Sequence, residues 1–280
     1  MLSTQIIRND KDKPIAVFMD YEEYERLQKL EEEKEYYRTL SENPGAKIKK
    51  PAHLKEVIKE EIDQNRRRID LFSAITHLIG VGLAIAGLVI LLVESAIHAT
   101  AWHIVSFSIF GASLILLYLA STLYHWFPYP SRVKSFFRRI DHSMIYLLIA
   151  GTYTPICLTA LRGWWGWTIF GVIWALAVWG IIVKAAWISI PRILSSLSYI
   201  LMGWMVLIAF VPLLKAIPLE GILWMLAGGL FYTVGTLFYG LDKKYPSRNW
   251  FNFHDVFHLF ILAGSFCHFW LMLKYIMLVP

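Results

Sequence analysis

Residues 71–93 read Leu-Phe-Ser-Ala-Ile-Thr-His-Leu-Ile-Gly-Val-Gly-Leu-Ala-Ile-Ala-Gly-Leu-Val-Ile-Leu-Leu-Val, without one Asp, Glu, Lys or Arg. Coiled as an α-helix at about 1.5 Å per residue, such a run crosses a hydrocarbon core about 30 Å thick. Working outward, comparable apolar runs recur near 102–125, 141–161, 166–184, 194–214, 219–240 and 254–276, with short polar breaks between them. The fold class expected is therefore an all-α membrane protein with seven transmembrane helices.

Composition agrees. The chain has 280 residues, of which 57% are hydrophobic and 17% charged, and its mean hydropathy of +0.50 is too apolar for a soluble domain of that length. Of the 21 acidic residues, 16 fall in the first 70 positions, leaving only Glu94, Asp141, Glu220, Asp242 and Asp255 beyond. The net charge of +6 does not point to nucleic acid, because the cations after position 70 are scattered between apolar runs and form no continuous stripe. They read as orientation signals: Arg132, Lys134, Arg138, Arg139, Lys184, Arg192, Lys243, Lys244 and Arg248 flank one side, against Arg162, Lys215 and Lys274 on the other. The richer side is expected to be cytoplasmic, as is the N-terminus, with the C-terminus outside and the protein in the cell membrane. Charged clusters such as Glu31-Glu32-Glu33-Lys34 leave no apolar core for a signal peptide in the first 50 residues. Cys157 and Cys267 lie in apolar runs and read as buried small hydrophobes, not a disulfide.

Three regions are expected: an appendage over 1–41, a linker with an amphipathic juxtamembrane helix over 42–70, and the membrane domain over 71–280. Pro14 to Met19 is strand-like, and Tyr21 to about Leu40 is a charged helical segment with Tyr24, Leu27 and Leu30 on one face. The order Lys-Pro-Ile-Ala-Val-Phe-Met followed by Tyr21-Glu-Glu-Tyr24-Glu-Arg-Leu27 resembles the strand and first helix of antitoxins of the Phd/YefM type. That makes the appendage a small soluble α/β-like piece, expected to self-associate or dock a partner. Asn43-Pro44-Gly45 and Pro51 mark the linker, and Arg66-Arg67-Arg68 suits an anionic membrane surface.

Polar groups in or beside spans are costly and therefore informative. His77, Ser121, His125, Asp141, His142, His254, Asp255 and His258 fall at one membrane level despite their separation in sequence. His254 and His258 are four apart, so a helix stacks their imidazoles on one face and both can share a metal. Ser121 lies one turn from His125 on the same face, and Asp141 opens the third span. Interfacial histidines placed by chance explain the same spacings, so the residues alone leave both readings open.

Three separated motifs resemble the hemolysin III branch of the progestin and adipoQ receptor superfamily. They are Ser121-x-x-x-His125, Asp141-His-Ser-Met-Ile-Tyr-Leu-Leu-Ile-Ala-Gly-Thr-Tyr-Thr-Pro155, and His254-Asp-Val-Phe-His258 with His268 beyond. The resemblance covers about residues 70–280. It implies a seven-helix fold, a zinc held by His125, His254 and His258, an acid at Asp141 beside the zinc water, and Ser121 nearby.

Neighbouring residues compete for these roles. Asp255 gives the last motif a zincin-like look, but position i+1 lies about 100° round the helix, so Asp141 is preferred as base. His268 stands about 15 Å from His258 and cannot share its metal. His77 is expected to line the cavity or support a ligand, and His142 to turn to another face. Gly151 and Pro155 are read as a kink or as helix packing, and Trp164, Trp165 and Trp167 as an interfacial belt. The resemblance then implies a zinc-dependent hydrolase of a lipid amide or ester, ceramidase-like, with membrane lipids as substrate or ligand. The alternatives are a membrane-state sensor with structural zinc and a cytolysin.

Overall fold

The computed structural model describes residues 5–8, 14–18, 21–43, 45, 48–127, 132–186, 191–244 and 253–280. Two compact units result, Met1–Gln64 and Asn65–Pro280. In the first, β1 (Gln5–Arg8) pairs antiparallel with β2 (Pro14–Phe18), placing Gln5 opposite Phe18 and Ile7 opposite Ala16. Helix α1 (Tyr21–Glu42) follows. The strand at 14–18 and the helix after it were readable in the sequence, whereas β1 was not, because Gln-Ile-Ile-Arg is too short to carry a period.

The second unit holds seven helices long and apolar enough to cross a membrane, and no strand among its described residues. The first span lies in α2 (Ala52–His98), which continues through residue 71 without a break. Nothing in Arg66-Arg-Arg-Ile-Asp70 stops a helix, since it holds neither Gly nor Pro. Then come α3 (Ala101–Trp126), α4 (Arg132–Pro155), α5 (Trp164–Ala185) and α6 (Arg192–Trp204). A 3-10 turn, Met205–Ala209, joins α6 to α7 (Phe210–Ala216) within one span, and α8 (Leu219–Lys244) and α9 (Phe253–Leu271) complete the set. The third span begins at Arg132, not near 141, because the cations expected in a loop are good helix formers. Asp141 therefore sits inside a helix.

Packing explains the small residues. A Cβ added at Gly111 would fall 2.5 Å from Leu88, and one at Gly151 would strike the Ser113 side chain, so Gly151 is a helix-packing position that lets α4 approach α3. The irregularity belongs to Pro155, after which the helix widens into a π-helical turn at Ile156–Ala160. Where α6 passes into its 3-10 turn, backbone groups need other partners. The Tyr153 hydroxyl provides them: it accepts from Val206 N–H at 2.7 Å and lies 2.7 and 2.9 Å from the carbonyls of Gly203 and Met202. Cys157 and Cys267 are buried and unlinked.

Outward faces are aliphatic: Leu83, Val105, Val178, Leu201 and Leu237 are all exposed on the helices. Hydrocarbon is the solvent that such a surface requires, which makes this a multi-pass membrane protein of the cell membrane.

Candidate metal centre and its cavity

His125 occupies the last turn of α3, while His254 and His258 open α9. The four-residue spacing puts the two α9 rings 4.7 Å apart. His125 Nε2 lies 3.2 Å from His254 Nε2, which lies 3.2 Å from His258 Nε2. Ligand atoms of all three fall within 4.8 Å of one another, so the group could hold a metal ion. His125 and His258 are buried and His254 is half-buried.

The donor set fits a zinc-sized cation. Metal–nitrogen bonds of about 2.0–2.1 Å at tetrahedral angles separate neighbouring nitrogens by about 3.3 Å, close to the 3.2 Å found here. Hydrogen bonding alone satisfies this triangle poorly. A neutral imidazole nitrogen carries either one proton or one lone pair, so His254 Nε2 cannot serve two facing nitrogens at once.

A cavity of about 580 Å³ opens beside the cluster, and Ser121, Asp141 and all three histidines line it. That volume suits a small-molecule or lipid-chain ligand. Ser121 and Asp141 face the same space from α3 and α4. The structure thus gathers every residue singled out from the sequence for this site around one space. Asp255 points elsewhere: fully buried, it accepts a 2.8 Å hydrogen bond from Ser73 Oγ of α2. His77 stacks on His258, ring centroids 3.8 Å apart at 23°, and meets Tyr118 edge-on. Neither His77 nitrogen has a hydrogen-bond partner, and its ring helps to set the plane of His258. His142 was expected to face away, yet it lines the same cavity beside Asp141, because the space is wide enough to touch positions about 100° apart on α4. His268 lies farther along the cavity and stacks on Tyr232.

Sequence reasoning passed over Arg138, Lys184, Ser195 and Tyr199, all of which line the cavity. For Arg138 a signal existed, since Arg138, Asp141 and Ile145 keep the three- and four-residue spacing of one helix face. Lys184, Ser195 and Tyr199 come from other helices, and only tertiary packing brings them in.

Residues 66–269 match the family model described as haemolysin-III related. The chain is similar to Hemolysin-3 of Bacillus cereus, 42% identical over 228 residues, which cover 81% of this chain and 97% of that protein. It is 43% identical over 211 residues to the Hemolysin-3 homolog of Bacillus subtilis (strain 168), covering 75% and 96% of the two chains. Over 186 residues it is 26% identical to the human monocyte to macrophage differentiation factor, covering 64% and 74%. The antitoxin-like resemblance of the N-terminal segment gains no support from these matches.

Proposed function

Because the chain belongs to the haemolysin-III related family and three of its imidazoles line one cavity with a half-buried carboxyl, we propose that it is a zinc-dependent intramembrane hydrolase of a lipid amide or ester bond. The supporting observation is that His254 Nε2 stands 3.2 Å from the Nε2 atoms of both His125 and His258, the three ligand atoms lying within 4.8 Å of one another on the cavity that Asp141 and Ser121 share. Zinc held by His125, His254 and His258 would supply Lewis-acid chemistry, polarising a carbonyl and making a water easier to deprotonate. In this reading Asp141, which lines the same cavity, takes that water's proton and passes it to the leaving group. The Ser121 hydroxyl, beside Asp141, orients the water or donates to the carbonyl oxygen as negative charge grows on it. Aliphatic walls keep bulk water from the reacting bond and hold the substrate's chain.

Purified protein incubated with labelled ceramides and phospholipids tests this reading. Fatty-acid release that depends on added zinc and vanishes in Asp141→Asn is the expected result. Release unchanged in that variant removes Asp141 from the chemistry.

A second reading has one observation in its favour: the three histidines come from the end of α3 and the start of α9, so a metal held there would clamp the two helices together. In that reading zinc is structural and the protein senses membrane state. Zinc-loaded protein that is stable and binds lipid yet releases no fatty acid from any lipid class would select it. Lysis, which the Bacillus cereus relative's name implies, is in our reading secondary to altered membrane lipid. The N-terminal unit serves self-association, checked by comparing the oligomeric state of the full chain with that of a chain lacking residues 1–41.

A further inference from the structure

The cavity has a charged end. Its α4 wall presents Arg138, Asp141, His142, Ile145, Ile149 and Thr152 in one stripe. At 1.5 Å per residue Arg138 stands about 4.5 Å from Asp141 along the axis, and Thr152 about 16 Å beyond Asp141 in the other direction. Cation, acid and aliphatic wall thus follow one another down a single helix face.

Chain direction brings two more helices to the same end. Helix α5 returns to the face from which α4 departed, and α6 starts there. Lys184 therefore lies in the last turn of α5 and Ser195 in the first turn of α6. Lys184 turns inward: its Nζ donates to Ser195 Oγ at 2.6 Å, and both residues line the cavity. A lysine that served only to orient its span would extend to the headgroups or to water. Arg139 lines the same space, and Asp141 is the only acid among the described lining residues.

We propose that this end is a phosphate subsite, where Arg138 and Lys184 hold the phosphodiester of an anionic glycerophospholipid. Its acyl ester lies about one turn deeper at Asp141 and the three histidines, and its chain runs along Ile145 and Ile149. The excess of cations sets the class of lipid. A ceramide headgroup brings no charge to offset them, and a zwitterionic choline lipid brings its own ammonium against them. In the reaction, water's oxygen joins the acyl carbon and the ester C–O bond breaks. One water proton passes to the departing glycerol oxygen, and a fatty acid and a lysophospholipid leave. The ester's placement rests on the lipid-hydrolase reading; the phosphate contact is measured without turnover.

The test uses the full chain in neutral detergent, with melting temperature followed during titration with dioctanoyl phosphatidylglycerol, dioctanoyl phosphatidylcholine or inorganic phosphate. Phosphatidylglycerol is expected to raise the melting temperature saturably, with apparent affinity about tenfold above that for phosphatidylcholine. The Arg138→Gln/Lys184→Gln pair should lose that preference, and Arg138→Lys should retain most of it. Equal affinity for the two lipids, or an unchanged preference in the double Gln variant, overturns the subsite. An equal response to inorganic phosphate overturns its assignment to a lipid. Charge-dependent binding without fatty-acid release would leave the subsite standing and remove the hydrolase, whereas equal release from both lipids in wild type and variant would do the reverse.

Discussion

His254 is the half-buried member of the three imidazoles, so replacing it with alanine opens no closed cavity in the core. His254→Ala is expected to fold and to drop from about one zinc per chain to a trace, because two imidazoles make a much weaker site than three. His268→Ala should keep its zinc, and metal analysis of the two purified variants decides. The two carboxyls separate in the same way. Asp141 shares the cavity with the histidines, whereas Asp255 is bonded to Ser73 on α2. Asp141→Asn should therefore lower kcat by about 10²–10⁴ at unchanged zinc content. Asp255→Ala should instead strand the Ser73 hydroxyl and cost about 1–3 kcal/mol of stability. Loss of turnover in folded, zinc-loaded Asp255→Ala would make Asp255 the base.

At the scale of elements, Tyr153 connects α4 to the weakest point of the fifth span. Its hydroxyl receives Val206 N–H and faces two carbonyls of the 3-10 junction. Tyr153→Phe leaves that N–H unpaired and should cost about 1–3 kcal/mol, read as a lower melting temperature in detergent. None of this was legible in the chain, because the irregularity at Met205–Ala209 has neither Gly nor Pro at its centre. The spans were legible because a run of apolar residues about 20 long reports its own length. Their ends were less so, and α4 shows why: a helix that carries its cations through the interface looks, in composition, like a span preceded by a loop. The histidines were legible as a set through motif resemblance, while spacing alone paired only His254 with His258. His142 lay beyond reach for a different reason. Which side chains meet one cavity depends on its width, and a linear sequence contains no widths.

For the whole molecule, the orientation across the membrane decides from which leaflet the cavity draws its ligand. The cations of α4 and the last turn of α5 stand at the end where Asp141 and the histidines gather. The bias of basic residues between the two sides predicts a site at the cytoplasmic face, an N-terminus inside and the end of the chain outside. Accessibility labelling tests this cleanly, because both native cysteines are buried and contribute little background. Ser41 and Pro280 are exposed, so single cysteines placed there report opposite sides. With a membrane-impermeant maleimide, Pro280→Cys should label in intact cells and Ser41→Cys only after permeabilisation. The reverse pattern would put Arg138 and Lys184 outside, and lipid would then have to enter from the outer leaflet. Labelling of both in intact cells would mean that the number of crossings between them is even, and one of the seven helices would have to lie in the interface.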